Sequence, residues 1–167
     1  MRSPLPGHKS LRKGRLSLAG QVYFTTTAVR GREPLFADFT VGCAVCRALG
    51  SPRSWSDARA LAWVLMPDHL HCLVQLGQSP LPKVMQSVHS ITARAANAGC
   101  GRSGQVWQGA FHDRALRADD DLLEAARYLI ANPLRAGLVA RVGHYPFWDA
   151  IWAANSPDPT DLLWSLL

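Results

Sequence analysis

Nowhere in its 167 residues does the chain hold an apolar run near the roughly 18–20 residues that a bilayer-spanning helix needs. No apolar stretch of signal-peptide length follows the basic N-terminus, so the expected compartment is the cytoplasm. The phosphate-cradling pattern GxxxxGKS or GxxxxGKT is missing, and with it an ATP-binding loop of that kind. Cysteine is scarce, at Cys43, Cys46, Cys72 and Cys100. The single CxxC, Cys43 to Cys46, has no second CxxC or spaced histidine pair to complete a zinc finger. It falls within a predicted helix, where both residues read as small core side chains, and a reducing cytoplasm argues against disulfides. Acidic residues are absent before Glu33, and no internal repeat or second domain is visible.

What is present fits one globular domain. Hydrophobic residues make up 48% and charged residues 18%, enough to bury a core and too apolar for disorder. The net charge of +6 is unevenly placed, since Arg2, Lys9, Arg12, Lys13 and Arg15 precede the first acid. Residues 1–19, broken by Pro4, Pro6, Gly7 and Gly14, read as a flexible basic arm suited to a polyanion. Residues 20–150 form the predicted domain. Residues 151–167 form a tail whose Leu162, Leu163, Trp164, Leu166 and Leu167 would dock on the body.

Within the domain, Gln21 to Val29 is β-branched and aromatic and predicts a first strand. Asp38 is a candidate N-cap for a helix over Phe39 to Leu49. Arg59 to Met66 and His69 to Leu76 predict two strands joined at Pro67-Asp68. A second helix is expected from Leu81 or Pro82 to Ala98, burying Val84, Val88, Ile91 and Ala95 and exposing Lys83, His89 and Arg94. Phe111 to Leu116 predicts a fourth strand. Asp119-Asp120-Asp121 then opens a third helix through Ala131, ended by Asn132-Pro133. This order, βαββαβ followed by a helix, predicts an α+β fold. It is a ferredoxin-like antiparallel sheet with helices on one face, plus a C-terminal helix carrying Tyr128.

The chemistry-bearing stretch is Met66-Pro67-Asp68-His69-Leu70-His71. On a strand His69 and His71 project from one face, with Cβ atoms roughly 6.5–7 Å apart, close enough for both imidazoles to reach one divalent ion. Leu70 and Cys72 would point into the core. In the third helix Tyr128 and Asn132 are four apart and would share a face. Taken with HxH, they suggest a nucleophile beside an oxygen ligand. Trp107 and Phe111 could stack on unpaired bases, although core packing suits them better.

The segments VYFTTTAV, LAWVLMPDHLHCLV, GQVWQGAFHDRALR and ARYLIANPLRAGLV, in that order across residues 20–150, carry a family resemblance. The chain resembles the REP-associated tyrosine transposases, within the HUH single-tyrosine transposases. That resemblance implies His69, His71 and Asn132 as ligands of Mg2+ or Mn2+, and Tyr128 as the nucleophile that forms a 5′-phosphotyrosine. It implies single-stranded or hairpin DNA as partner, no membrane, and compatibility with a homodimer. Arg12, Lys13 and Arg15 of the arm, with Lys83, Arg94 and Arg114, are the candidates to follow the DNA backbone. Asp68 stands where the family usually has asparagine, and His89-Ser90 replaces a lysine-containing stretch. Two other functions remain open: a non-catalytic nucleic-acid-binding module, and a metal-dependent nuclease that uses water.

Overall fold

The hairpin at the Pro67-Asp68 turn is the frame on which the rest is hung. Arg59–Met66 (β2) and His69–Gln75 (β3) pair antiparallel, with Met66 opposite His69 and two residues between them. The turn is tied down from outside, because its carbonyls accept from Phe36 N (2.9 Å, on Pro67 O) and Val29 N (2.8 Å, on Asp68 O). The computed structural model describes residues 17–117 and 120–153. Arg12, Lys13, Arg15 and the leucine-rich tail lie outside these described residues.

Val22–Ala28 (β1) pairs along the other side of β3. The outer positions go to His112–Ala115 (β4) and Trp148–Ala150 (β5), giving the antiparallel order β4-β1-β3-β2-β5. The fifth strand is an addition to the four predicted. It has only three residues, too few for alternation to announce it.

Register sorts the side chains into two faces. Phe24, Leu73 and Ala62 share one level of the front face, Thr26, His71 and Val64 the next, and Ala28, His69 and Met66 the third. Thr25, Cys72 and Trp63, with Thr27, Leu70 and Leu65, form the back, where Leu70 and Cys72 are fully buried as predicted.

Phe39–Leu49 (α1) begins where predicted, with the Asp38 carboxylate accepting from Val41 N at 3.0 Å. Leu81–Cys100 (α2) packs against it closely, since a Cβ on Gly99 would stand 3.4 Å from Val41 Cα. α2 reaches the back of the sheet through His89, whose Nε2 lies 2.9 Å from Thr27 Oγ1 and whose ring stacks on Trp107. His89 is therefore not a solvent-facing residue, contrary to expectation. The buried stripe also drifts from the expected Ile91 and Ala95 to Thr92 and Ala96. Thr92 can sit there because its hydroxyl donates to Val88 O (2.6 Å) and accepts from Trp107 Nε1 (2.9 Å). Trp107 and Phe111 are core residues, as preferred.

Leu122–Ile130 (α3) lies on the opposite, front face and buries Ala126, Leu129 and Ile130. Burying the two larger side chains contributes about 1.5–3 kcal/mol each. Asp121 caps α3, accepting from Leu123 N (2.7 Å) and Glu124 N (3.1 Å). No helix of the described residues is long and apolar enough to cross a membrane.

Candidate active site

His69 and His71 start the central strand, and alternation places both rings on the front face. Each ring is anchored at Nδ1. Asp68 Oδ1 lies 2.5 Å from His69 Nδ1, and Thr26 Oγ1, directly across the ladder, lies 2.8 Å from His71 Nδ1. The carboxylate can only accept, so it places a proton on His69 Nδ1, and in the neutral ring it is then Nε2 that keeps the lone pair. The Thr26 hydroxyl can donate or accept, so His71 is free to present a bare Nε2 as well. The two Nε2 atoms face one another at 3.1 Å. Two nitrogens bonded at about 2.1 Å to one ion at right angles would stand about 3.0 Å apart, so the pair fits a shared cation.

His71 is also held neutral. Burial above all, then the adjoining His69 and the positive charges of Arg135 and Arg32, bring its pKa down to about 3. A neutral imidazole is the form that ligates.

Tyr128 stands on the same side of the sheet. Its ring meets Phe24 edge-on at 6.4 Å between centroids, and Phe24 in turn lies 5.7 Å from the His71 ring. At 60% exposure the tyrosine is reachable from solvent. A cavity of about 450 Å³ opens beside it, lined by Phe24, Arg114, Asp120, Asp121, Glu124 and Tyr128.

Asn132 is placed differently from expectation. α3 ends at Ile130, and Asn132 begins a separate short helix, Asn132–Arg135 (α4). The break has a local cause. Pro133 has no N–H to offer the carbonyl of Leu129 four residues back, and the Asn132 side-chain amide donates to that carbonyl instead, at 2.7 Å. The amide nitrogen is thus committed, and the amide oxygen is the end of the group left to act as a ligand. No cluster of three or more His, Cys, Asp or Glu placed to hold a metal is present among the described residues.

α4 also delivers Arg135, which lies in the ARYLIANPLRAGLV segment but is not among the candidate residues read from the sequence. Its guanidinium carbon lies 3.8 Å from the Tyr128 ring centroid, and Nη2 donates to Tyr128 O at 2.7 Å. Seven residues would be two turns of one continuous helix, but the helix end expected at Asn132-Pro133 hides that spacing in the sequence.

Among the other predicted residues, Arg114 is brought to the tyrosine, with Nη1 3.7 Å from Asp120 Oδ2. Lys83 and Arg94 are exposed on α2, and Arg94 donates to Ser90 Oγ at 2.7 Å. Cys43 and Cys46 are half-buried on α1, and the Cys46 thiol is pushed up to about 12 by burial and by Cys43.

No protein-family model matches the chain. The REP-associated tyrosine transposase of Escherichia coli (strain K12) is 30% identical over 88 residues, covering 52% of this chain and 50% of the relative. The chain thus spans about half the length of that curated relative. A solved structure of a REP-associated tyrosine transposase bound to a REP hairpin matches with a TM-score of 0.59 and 23% identity. That match covers 80% of this chain and 79% of the other, and it speaks to the fold. Over about half its length the chain is thus similar in sequence to a REP-associated tyrosine transposase, and over four-fifths of its length it is similar in fold to a solved one.

Proposed function

We propose that the chain cleaves single-stranded DNA beside a hairpin and transfers the strand through a 5′-phosphotyrosine on Tyr128. The observation that carries this reading is the convergence of two Nδ1-anchored imidazoles, 3.1 Å apart at Nε2, on the face that also holds the tyrosine. The strand order β4-β1-β3-β2, with α1 and α2 behind the sheet, supports a ferredoxin-like βαββαβ core extended by β5 and the tyrosine helix. The relative solved with a REP hairpin supports hairpin DNA as the partner.

His69, His71 and the Asn132 amide oxygen are the proposed ligands of Mn2+ or Mg2+, and two imidazoles favour manganese. Such an ion would neutralise charge on the non-bridging phosphate oxygens as a Lewis acid. Tyr128 Oη attacks phosphorus, the P–O3′ bond breaks, and the phenolic proton is exchanged for one on the departing 3′-hydroxyl. The new phosphodiester to tyrosine conserves the bond energy, so a 3′-hydroxyl can later reverse the step without ATP. Arg135 holds the ring by stacking, and Arg114 places a positive charge in the adjoining cavity.

Wild type and Tyr128→Phe, each incubated with hairpin-bearing single-stranded DNA and Mn2+, decide between the readings on a denaturing gel. The expected result is a covalent protein–DNA band in wild type alone. Equal cleavage in both would indicate a water nucleophile, and binding without cleavage would indicate a non-catalytic module.

A further inference from the structure

Asp68 sits in the turn just before the two histidines, and its carboxylate bonds on both sides. Oδ1 accepts a hydrogen bond from His69 Nδ1 at 2.5 Å, and Oδ2 lies 3.3 Å from Arg32 Nε. The backbone around it is also set. Asp68 O accepts from Val29 N, and Arg32 N donates to Val29 O at 2.9 Å, so the Arg30–Arg32 turn and the hairpin turn are fastened at one residue. Arg32 adopts a φ of 58°, one of two non-glycine residues in the left-handed region among the described residues. A side chain disfavours that conformation, and at Arg32 it accompanies a guanidinium held against Asp68.

We propose that Asp68, steadied by Arg32, is a positioning residue for the divalent cation at His69 and His71. The proposal rests on the metal reading given above and adds to it. A carboxylate on Nδ1 fixes the tautomer, points Nε2 at the site and raises the electron density the ring offers a cation. An asparagine there could accept the same hydrogen bond but would bring no charge. The side chain of Asp68 is 26% exposed and that of His69 18%, so solvent competes weakly for the bond.

The test is Mn2+ binding to the full chain without DNA, followed by manganese EPR, together with the ring nitrogen shifts of His69 in the metal-free protein. Asp68→Ala is expected to weaken Mn2+ about 10–100-fold and to move the His69 proton from Nδ1 to Nε2. Asp68→Asn is expected to keep the Nδ1–H tautomer and lose less affinity. It also decides the matter if the alanine variant does not fold: an Nε2–H tautomer in Asp68→Asn overturns the proposal. Arg32→Ala should weaken Mn2+ by a few-fold. If Asp68→Ala binds Mn2+ as wild type does while His69→Ala loses it, Asp68 has no positioning role and the metal reading stands. If His69→Ala also binds normally, the metal reading itself fails and takes this proposal with it.

Discussion

Arg135 lies over the ring of Tyr128, its guanidinium carbon 3.8 Å from the centroid, and hydrogen-bonds the carbonyl of the same residue. One side chain therefore fixes both the backbone and the ring of the proposed nucleophile. A phenyl ring offers the same face to the cation. Tyr128→Phe should fold with a stability change within about 0.5 kcal/mol, as for other exposed positions, yet form no covalent adduct. Thermal melts beside the gel assay check both halves, and wild-type cleavage by this variant would refute the assignment of the nucleophile.

His69→Ala and His71→Ala should each abolish cleavage and leave the fold, because both rings project from the sheet rather than into its back layer. The expected stability cost is about 1 kcal/mol. A normal rate with Mg2+ or Mn2+ in either variant would remove the metal assignment. Circular dichroism guards against loss of fold as the cause.

Asn132 has two separable duties. Asn132→Ala removes both the proposed oxygen ligand and the donor to Leu129 O, so it should weaken cleavage and cost about 1 kcal/mol of stability. Asn132→Asp keeps an oxygen but, when ionised, cannot donate to that carbonyl. It should retain Mn2+ binding while lowering the melting temperature. If Asn132→Ala lowers the melting temperature but leaves Mn2+ binding and cleavage unchanged, Asn132 is a helix-capping residue only.

Asp57 gives stability one source of acid sensitivity. Its Oδ2 accepts from Gln78 N (2.7 Å) and Ser79 N (2.9 Å), clasping the start of the loop into α2, and a Cβ on Gly77 would collide with its carbonyl. The Ser79 amide foremost, then Gln78, holds the carboxyl below its ordinary value. A depressed carboxylate binds fewer protons folded than unfolded. Its contribution is thus present above the ordinary value and fades as pH falls through the lowered one. Urea denaturation of Asp57→Asn against wild type should show the difference between the two shrinking as pH falls below about 4.

Removing residues 1–16 is expected to weaken DNA binding and leave the active site working. The cut belongs there because Ser17 Oγ accepts from Leu81 N at 3.1 Å and Gly20 N donates to Leu76 O at 2.8 Å, which ties residues 17–20 to the domain. For every phosphate that the arm neutralises in the intact chain, its removal should reduce the salt slope by about 0.7 on a single strand. An unchanged slope would make the arm a bystander.

The parts of the fold legible in the sequence were those written in short-range signals. β1 and the β2–β3 hairpin followed from β-branched runs and a Pro-Asp turn, and α1 from the spacing behind Asp38. The paired histidines were legible because a strand has a period of two. Their anchors were not. Thr26 lies 45 positions from His71 and meets it only through the β1–β3 register. That His89 turns toward the sheet was hidden for the same reason, since its partner Thr27 is 62 positions away. The Asn132-Pro133 break was visible as a helix end. That the chain turns helical again at once, carrying Arg135 back to Tyr128, depends on the Asn132 side chain replacing a missing backbone donor.

The strand that carries the histidines runs third of five, with a neighbour along each edge, whereas α3 is held to the sheet by the packing of one side. Amide exchange at His69 and His71 should therefore require the sheet to come apart, while the amides around Tyr128 can exchange through an opening of the helix alone. The proposed ligands and the proposed nucleophile would then belong to separate cooperative units. A tyrosine joined to DNA could move away with its helix and return to a pair of imidazoles that had never shifted.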